Sequence, residues 1–162
     1  DSEVFRGGVN QVVRVGAVVL RPTGPWTPAV HALLRHVAAA GFSGAPRVHG
    51  VDDQGREILD FVAGAVATDP VPAYARRDAA LAVRGGWLLR RYHDATVGFV
   101  PPRDAVWQLP ERAPREVICH GDVAPYNTVS TGLPVAFIDF DAAHPGPRLW
   151  DLALAAYRFV PL

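Results

Sequence analysis

The sequence predicts a mixed α/β (α+β) fold with two lobes, a small β-rich N-terminal lobe over residues 1–61 and a helical C-terminal lobe over residues 62–162. Three observations support this prediction. β-branched segments alternate with turn residues before residue 62, one strongly periodic helix interrupts them, and a stretch rich in Pro and Gly then leads into helical sequence. The predicted order of the first lobe is strand, strand, helix, strand, strand.

The first lobe is predicted to contain an antiparallel hairpin, because β-branched segments flank Gly16–Ala17. A helix is predicted over residues 28–40, where apolar residues recur on one helical face. Thr27 is suited to the N-cap of this helix, and Gly41 is suited to its end.

A second hairpin is predicted over residues 47–61, with its turn at Asp52–Gly55. Ala63–Gly64 and the two prolines that follow mark the boundary between the lobes. A long helix over residues 74–93 is predicted to open the second lobe, with Gly85–Gly86 interrupting its apolar pattern.

The last third of the chain is predicted to alternate strands, a loop and a helix. Short apolar runs indicate buried strands at 117–119 and 135–138, and a loop containing Pro125 fills residues 120–127. The final element is a helix over residues 149–158.

Composition excludes several classes of function. The chain has 16 Arg, no Lys and 16 acidic residues, so its formal charge is zero, whereas a nucleic-acid-binding face needs an excess of positive charge. The absence of Lys excludes a Walker-type phosphate loop and Schiff-base chemistry. No apolar run is long enough to span a membrane, and the single Cys119 cannot form an internal disulfide. We therefore expect a cytoplasmic protein without nucleic-acid or membrane partners and, because the sequence has no Met, part of a longer chain.

The strongest chemical signal is His120-Gly121-Asp122 followed by Asn127, with Asp139-Phe140-Asp141 beyond a predicted strand. Phosphoryl transfer needs such a set, because one carboxylate orients a hydroxyl nucleophile while an amide oxygen and a second carboxylate hold Mg²⁺ against the phosphates. Asp and Asn are common in turns singly, but the combination is rare by chance.

The runs 118–127, 137–141 and 150–153 resemble the aminoglycoside phosphotransferase family, which has the protein-kinase-like fold. The resemblance covers essentially the whole chain and is most specific over residues 118–141. It implies a small-molecule kinase that transfers the γ-phosphoryl group of ATP to a hydroxyl, with ATP and Mg²⁺ as cofactors. It also implies that the C-terminal lobe is incomplete, because the family places acceptor-binding helices after the Asp-Leu-Ala segment.

The family pattern implies a role for each matched position. Asp122 would be the catalytic base, and Asn127 and Asp139 would be the Mg²⁺ ligands. The nucleotide would be bound by residues of the first lobe and of its linker to the second, with Gly7, Gly8 and Asn10 in the phosphate-covering loop and Asp60 and Val62 at the adenine.

One further feature departs from the family pattern. Enzymes of this fold usually carry a Lys on the third strand and a Glu on the following helix, and the two form an ion pair. Here Arg21 ends the corresponding strand, and the predicted helix has no acidic residue. We interpret its His31 as an ordinary helix-surface or packing residue. We assign Arg21 to the nucleotide phosphates, because a guanidinium can bind phosphate bidentately.

Two other functions are compatible with these residues. The missing Lys–Glu pair also fits a catalytically weak or inactive nucleotide-binding module. A metal-dependent phosphohydrolase is a third interpretation, because mixed His and carboxylate sets bind divalent metals. Its ligands would be Asp139, Asp141, His120, Asp122 and His144.

Three residues near the motif invite structural interpretations. We expect His120 to stabilise the loop through a backbone hydrogen bond and Asp151 to act as a helix cap or loop anchor. For Asp141, contact with a second metal or a substrate and simple solvation both remain open.

Overall fold

An antiparallel sheet forms the N-terminal lobe. The computed structural model describes residues 2–7, 10–67 and 79–159. Within them the sheet has five strands in the order β1-β2-β3-β5-β4, all paired antiparallel. The strands are β1 (Ser2–Gly7), β2 (Asn10–Val15), β3 (Val18–Pro22), β4 (Val48–Val51) and β5 (Arg56–Asp60).

Both predicted hairpins are confirmed, but β1 was not predicted, so the predicted order of the first lobe is wrong in having two strands before the helix instead of three. In the first, Val15 pairs with Val18 across the two turn residues, and Gly16 has a φ of 60°, which glycine adopts without strain. In the second, the Asp52 carboxylate accepts hydrogen bonds from the backbone N–H groups of Gln54 and Arg56, at 3.0 and 2.8 Å. Local turn chemistry therefore sets both strand registers.

The first helix, α1, spans Thr27–Ala39. The predicted helix is therefore confirmed, and it begins and ends one residue earlier than predicted. Trp26 occupies the N-cap position, so the prediction of Thr27 as N-cap is wrong. The Thr27 hydroxyl instead accepts a hydrogen bond from Gly24 N at 2.9 Å, which closes the preceding turn. Gly41 follows the helix with a φ of 85°, as a helix-ending glycine does.

The C-terminal lobe contains two helices and two small sheets among its described residues. Helix α2 spans Ala79–Thr96, and the start of the predicted helix lies outside the described residues. The predicted strands and final helix are confirmed, whereas β7 and β9 were not predicted. These elements are β6 (Val117–Cys119) paired with β9 (His144–Gly146), β7 (Thr128–Ser130) paired with β8 (Pro134–Phe137), and helix α3 (Arg148–Phe159).

One apolar core runs through both lobes. The buried face of α1, with Leu33 and Val37, belongs to the same cluster as Leu88 and Tyr92 of α2 and Phe137 of β8. Burial of such side chains contributes roughly 1.5–3 kcal/mol each. The two lobes therefore share their stabilising contacts. Within the described residues no helix is both long and apolar enough to cross a bilayer.

Candidate active site

The loop that joins β6 to β7 holds the carboxylate of Asp122 by hydrogen bonds to both oxygens. Tyr126 Oη donates to Asp122 Oδ1 at 2.8 Å, and Asn127 Nδ2 donates to Oδ2 at 2.9 Å. Asn127 Nδ2 also donates to the Asp122 carbonyl at 3.0 Å. Because both partners of this amide are acceptors, its nitrogen must face Asp122. Asp122 and Asn127 are therefore brought together, as predicted, and Tyr126 is a contact that the sequence motif did not indicate.

His120 connects this loop to the strand end that precedes Asp139. Its Nε2 lies 3.0 Å from the carbonyl of Ile138, and its Nδ1 accepts a hydrogen bond from Asp122 N at 3.2 Å. These partners require the tautomer with the proton on Nε2. Complete burial lowers the pKa of His120, although neighbouring carboxylates oppose that effect. The loop-stabilising role expected for His120 is confirmed.

Ile138 ties the two halves of the motif together through its backbone. Its N–H donates to the Asn127 carbonyl at 2.9 Å, while its own carbonyl meets His120. Asp139 is therefore held next to the Asp122 loop. Gly121 closes the arrangement with a φ of 84°, and a Cβ built there would lie 2.1 Å from the Ala142 carbonyl oxygen. This close approach requires glycine at position 121.

Asp151, near the start of α3, is fully buried and holds the loop through hydrogen bonds to its backbone. Its Oδ2 accepts from His120 N at 2.6 Å and lies 2.8 Å from His93 Nε2, while Oδ1 accepts from Gly121 N at 2.9 Å. Burial alone would raise the pKa of Asp151, but the hydrogen bond from His93 and the nearby charges lower it. The expectation that Asp151 anchors the loop is confirmed.

Arg21 of β3 reaches across to the turn that carries Asp139. Its Nη1 donates to Asp139 Oδ1 at 3.2 Å, its Nη2 pairs with Asp141, and its Nε lies 2.6 Å from Glu57 Oε1. The Arg21 side chain is only 10% exposed. Burial by itself would lower the pKa of the guanidinium, but the surrounding carboxylates raise it well above its usual value.

Glu57 supplies the acidic partner that the first helix lacks. It lies on β5 directly opposite Arg21 in the strand register and is 2% exposed. Its second oxygen, Oε2, lies 2.8 Å from His31 Nε2 on α1. The interpretation of His31 as a simple packing residue is therefore wrong. The only sequence signal for Glu57 was a carboxylate at an inward-facing position of the strand, in alternation with Leu59.

Asp141 is not a solvated carboxylate, because its side chain is 16% exposed and pairs with Arg21. Burial and the neighbouring Asp139 raise the pKa of Asp141, while Arg21 and a hydrogen bond from Trp26 act in the opposite direction. Asp139 itself is half exposed and adopts a φ of 61°, a left-handed conformation that is uncommon for a non-glycine residue.

Two of the predicted phosphate-covering residues, Gly7 and Asn10, lie in the sheet that also carries Arg21. They form the last pair of the β1–β2 hairpin, and the pairing of β2 with β3 extends to Val13 opposite Leu20, the residue before Arg21. Gly8 lies outside the described residues, and Asn10 is described by its backbone. Their assignment to nucleotide binding stays a prediction.

Asp60 and Val62 lie at the opposite end of β5, where Asp60 pairs with Val18. The Asp60 carboxylate lies 2.6 Å from His49 Nε2 and accepts a hydrogen bond from Arg47 N at 3.2 Å. The structure therefore does not bring the Asp60 side chain to Arg21, and contact of the 60–62 backbone with a nucleotide stays a prediction.

The phosphohydrolase interpretation finds no support in the geometry. Among the residues that the structure describes, no three His, Cys, Asp or Glu side chains form a group that could hold a metal. His120 makes both of the contacts given above, and His144 Nδ1 lies 2.8 Å from the Ala142 carbonyl. The five-residue ligand set of this alternative interpretation is therefore not assembled among the described residues.

Comparison with known proteins identifies the sequence pattern. Residues 103–161 match the profile of the phosphotransferase enzyme family, APH. The trifolitoxin immunity protein of Rhizobium leguminosarum bv. trifolii is 41% identical over 164 residues, which cover 92% of this chain and 57% of the relative. The chain thus spans little more than half of that relative's length.

Solved structures with the same fold are small-molecule kinases. A choline/ethanolamine kinase family protein from Mesorhizobium loti superimposes with a TM-score of 0.68 at 22% identity, covering 96% of this chain and 63% of that protein. An amicoumacin kinase in complex with AMP-PNP, Ca²⁺ and Ami gives a TM-score of 0.72 at 14% identity, covering 99% and 66%. These comparisons confirm the predicted bilobal, protein-kinase-like fold and the resemblance to the phosphotransferase family.

Proposed function

Because the chain carries the APH phosphotransferase pattern over residues 103–161 and has the fold of small-molecule kinases, we propose that it is an ATP-dependent phosphotransferase with a small-molecule hydroxyl acceptor. One observation carries the proposal. The carboxylate of Asp122 is oriented on both oxygens, and Ile138 holds Asp139 beside the same loop. This is the arrangement that positions a nucleophile next to a phosphate-neutralising centre.

Asp122 is the proposed catalytic base. Its carboxylate would accept a hydrogen bond from the acceptor hydroxyl, orient that oxygen toward the γ-phosphorus and take up the proton late in the transfer. The hydrogen bonds from Tyr126 and Asn127 restrict the carboxylate to one orientation. They remain in place during the reaction, because neither donor has to transfer its own proton.

Asn127 and Asp139 are the proposed Mg²⁺ ligands. The Asn127 amide nitrogen faces Asp122, so its carbonyl oxygen, which makes no hydrogen bond within the described part of the chain, is the atom left for a cation. The Asp139 side chain is half exposed, so a hydrated ion could reach it from solvent. One amide and one carboxylate suit Mg²⁺, which keeps several waters and binds phosphate oxygens. When bound, Mg²⁺ would neutralise the phosphates.

ATP would lie between the end of the sheet and the Asp122 loop. Arg21 would contact the phosphates, residues 7–10 would cover them, and the segment at Asp60–Val62 would meet the adenine. A nucleotide site is supported by the amicoumacin kinase, whose structure holds AMP-PNP. We place the protein in the cytoplasm, where ATP is available. Burial raises the pKa of the Cys119 thiol to about 12 and keeps that thiol unreactive.

The test compares Asp122→Ala with Asp104→Ala, an exposed carboxylate outside the site. Asp122→Ala should lower kcat about 10²- to 10⁴-fold and leave the Kd for Mg·ATP nearly unchanged. ADP formation would be screened with choline, ethanolamine, amicoumacin and trifolitoxin, the compounds that appear in the names of the similar proteins. Equal turnover by Asp122→Ala and the unmodified protein would refute the assignment.

A catalytically weak nucleotide-binding module is the second candidate. Both Nη atoms of Arg21 contact Asp139 and Asp141, which favours this candidate. An active kinase must admit a metal and phosphates at the same place. Thermal-shift titration distinguishes the two functions. Stabilisation by Mg·ATP, worth about 2.7 kcal/mol at 100 times Kd, together with turnover of any acceptor supports the kinase. Stabilisation without turnover supports the module.

A further inference from the structure

We propose that Glu57 and His31 are positioning residues that hold Arg21 for phosphate binding, a role that rests on the proposed function. Together with Arg21 they take the place of the pair of strand lysine and helix glutamate. In this chain the acidic member comes from the neighbouring strand β5, and the helix contributes an imidazole.

The two sides of the Arg21 guanidinium have different partners. Nε lies against Glu57, whose other oxygen lies against His31 of α1. Nη1 and Nη2 form the other side and point to Asp139 and Asp141. Glu57 thus forms an ion pair on the Nε side of the guanidinium, although Nε makes no aligned hydrogen bond, and leaves Nη1 and Nη2 to face the crevice as the pair that can bind a phosphate end-on.

Burial of these groups argues against a purely structural role. Glu57 is 2% exposed and His31 is 5% exposed, and Val30, Leu34 and Leu59 line the same crevice. Buried ion pairs contribute little net stability compared with apolar side chains of similar volume. A requirement for stability alone would be met by an apolar group at position 57.

The charges around Arg21 favour exchange of its partners when a nucleotide binds. One guanidinium faces the three carboxylates of Glu57, Asp139 and Asp141, which leaves two negative charges for a divalent cation to balance. With the cation bound, Nη1 and Nη2 would move from Asp139 and Asp141 to phosphate oxygens. Glu57 would keep its contact with Nε throughout.

The experiment uses Glu57→Gln, with Asp52→Asn as the matched control. Asp52 lies in the same β4–β5 hairpin and pairs with an arginine, Arg56, at 2.7 Å, but outside the site. Glu57→Gln should weaken binding of Mg·ATP about tenfold to a hundredfold, the range for loss of one charge-assisted contact. The same change should appear in the KM for ATP, whereas the KM for the acceptor should stay constant. Asp52→Asn should change neither value.

A double-mutant cycle separates positioning from folding. Arg21→Lys keeps a positive charge but loses the fork, so it should weaken Mg·ATP binding to a similar degree, and adding Glu57→Gln should then cost little more. His31→Gln, which retains a donor toward Glu57, should have the smallest effect. If Glu57→Gln does not fold, Arg21→Lys and His31→Gln carry the test.

Each result has a distinct meaning. If the unmodified protein binds Mg·ATP and Glu57→Gln binds it equally well, the positioning role is wrong and the proposed function stands. Additive effects of Arg21→Lys and Glu57→Gln would also overturn it, as would a His31→Gln effect larger than that of Arg21→Lys. If the unmodified protein does not bind Mg·ATP, the proposed function and this inference fail together.

Discussion

The loop around Asp122 and the turn around Asp139 carry the two acidic parts of the site, and different forces hold them. Asp122 is fixed by hydrogen bonds from within its own loop, and the loop is fixed by the buried Asp151. The turn meets Arg21, which lies more than a hundred residues away in the sequence and on the other lobe.

The contacts that hold the Asp122 loop stay in place when a ligand binds, whereas the contacts that hold the Asp139 turn can be exchanged for contacts with the ligand. Backbone and side-chain hydrogen bonds to Asp151 have no competitor when a ligand enters, because they are buried under the loop. The ion pairs of Arg21 face the crevice beside Asp139, where added cations and phosphates compete for the same charges. We therefore expect substitutions under the loop to affect stability and substitutions at the turn to affect ligand binding.

The largest expected effect is that of Asp151→Ala. Removing one member of this buried group leaves His93 and two backbone N–H groups without their acceptor, which should cost about 3–5 kcal/mol of unfolding free energy. Denaturant titration measures the loss. Asp104→Ala, which removes an exposed carboxylate, is the control and should leave the midpoint almost unchanged. Equal midpoints for both variants would contradict the role of Asp151.

Gly121→Ala should have the next largest effect. The added Cβ would meet the Ala142 carbonyl at 2.1 Å in addition to the strained φ of 84°, so we expect a loss of roughly 3 kcal/mol. Gly132→Ala is a matched control, because it has a φ of 89° but open space around its Cβ. Its loss should be limited to about 1 kcal/mol. A Gly132→Ala loss as large as that of Gly121→Ala would show that backbone strain alone matters.

Tyr126→Phe tests the orientation of the Asp122 carboxylate. Loss of this 2.8 Å hydrogen bond to a charged group should lower kcat about tenfold, equivalent to roughly 1.5 kcal/mol. The Kd for Mg·ATP should stay constant. Tyr157→Phe, on the exposed side of α3, should leave kcat unchanged. A change in Kd without a change in kcat would place Tyr126 in nucleotide binding instead.

The smallest expected effect is the acid sensitivity contributed by His120. Its pKa in the folded protein lies below the ordinary value of 6.5, so the neutral form contributes stability that is complete above pH 6.5 and is lost as the pH falls further. Protonation of Nδ1 would also break the hydrogen bond from Asp122 N. The Tm should fall by roughly a few degrees between pH 7 and 5.

His120→Asn is the comparison for this pH effect. The variant should be less stable than the unmodified protein at pH 7, because it loses the contact with Ile138, but its Tm should depend less on pH between 7 and 5. Identical pH dependence in the two proteins would assign the acid sensitivity to other groups.

Local patterns made much of the fold predictable. The two hairpins and α1 depend on turn residues, apolar spacing and Gly41, all of which act within a few neighbouring residues. The pairing of Asp122 with Asn127 was also predictable, because both residues lie in one short loop. β7 and β9 were missed because each has only three residues and depends on its partner strand.

The support of Arg21 could not be predicted from the sequence. Glu57 and His31 lie 36 and 10 residues from it along the chain, and only the strand register and the packing of α1 bring all three together. The same limit applied to Asp141, whose burial depends on Arg21 and Trp26 in the other lobe. Long-range charge contacts leave no periodic signal in a sequence.

The core shared by α1 and α2 has a consequence for dividing the molecule. If the polypeptide were cut in the linker after residue 61, the first fragment would expose four aliphatic side chains of α1, namely Val30, Leu33, Leu34 and Val37. The second fragment would expose the surface that they cover. We therefore expect neither fragment to fold on its own.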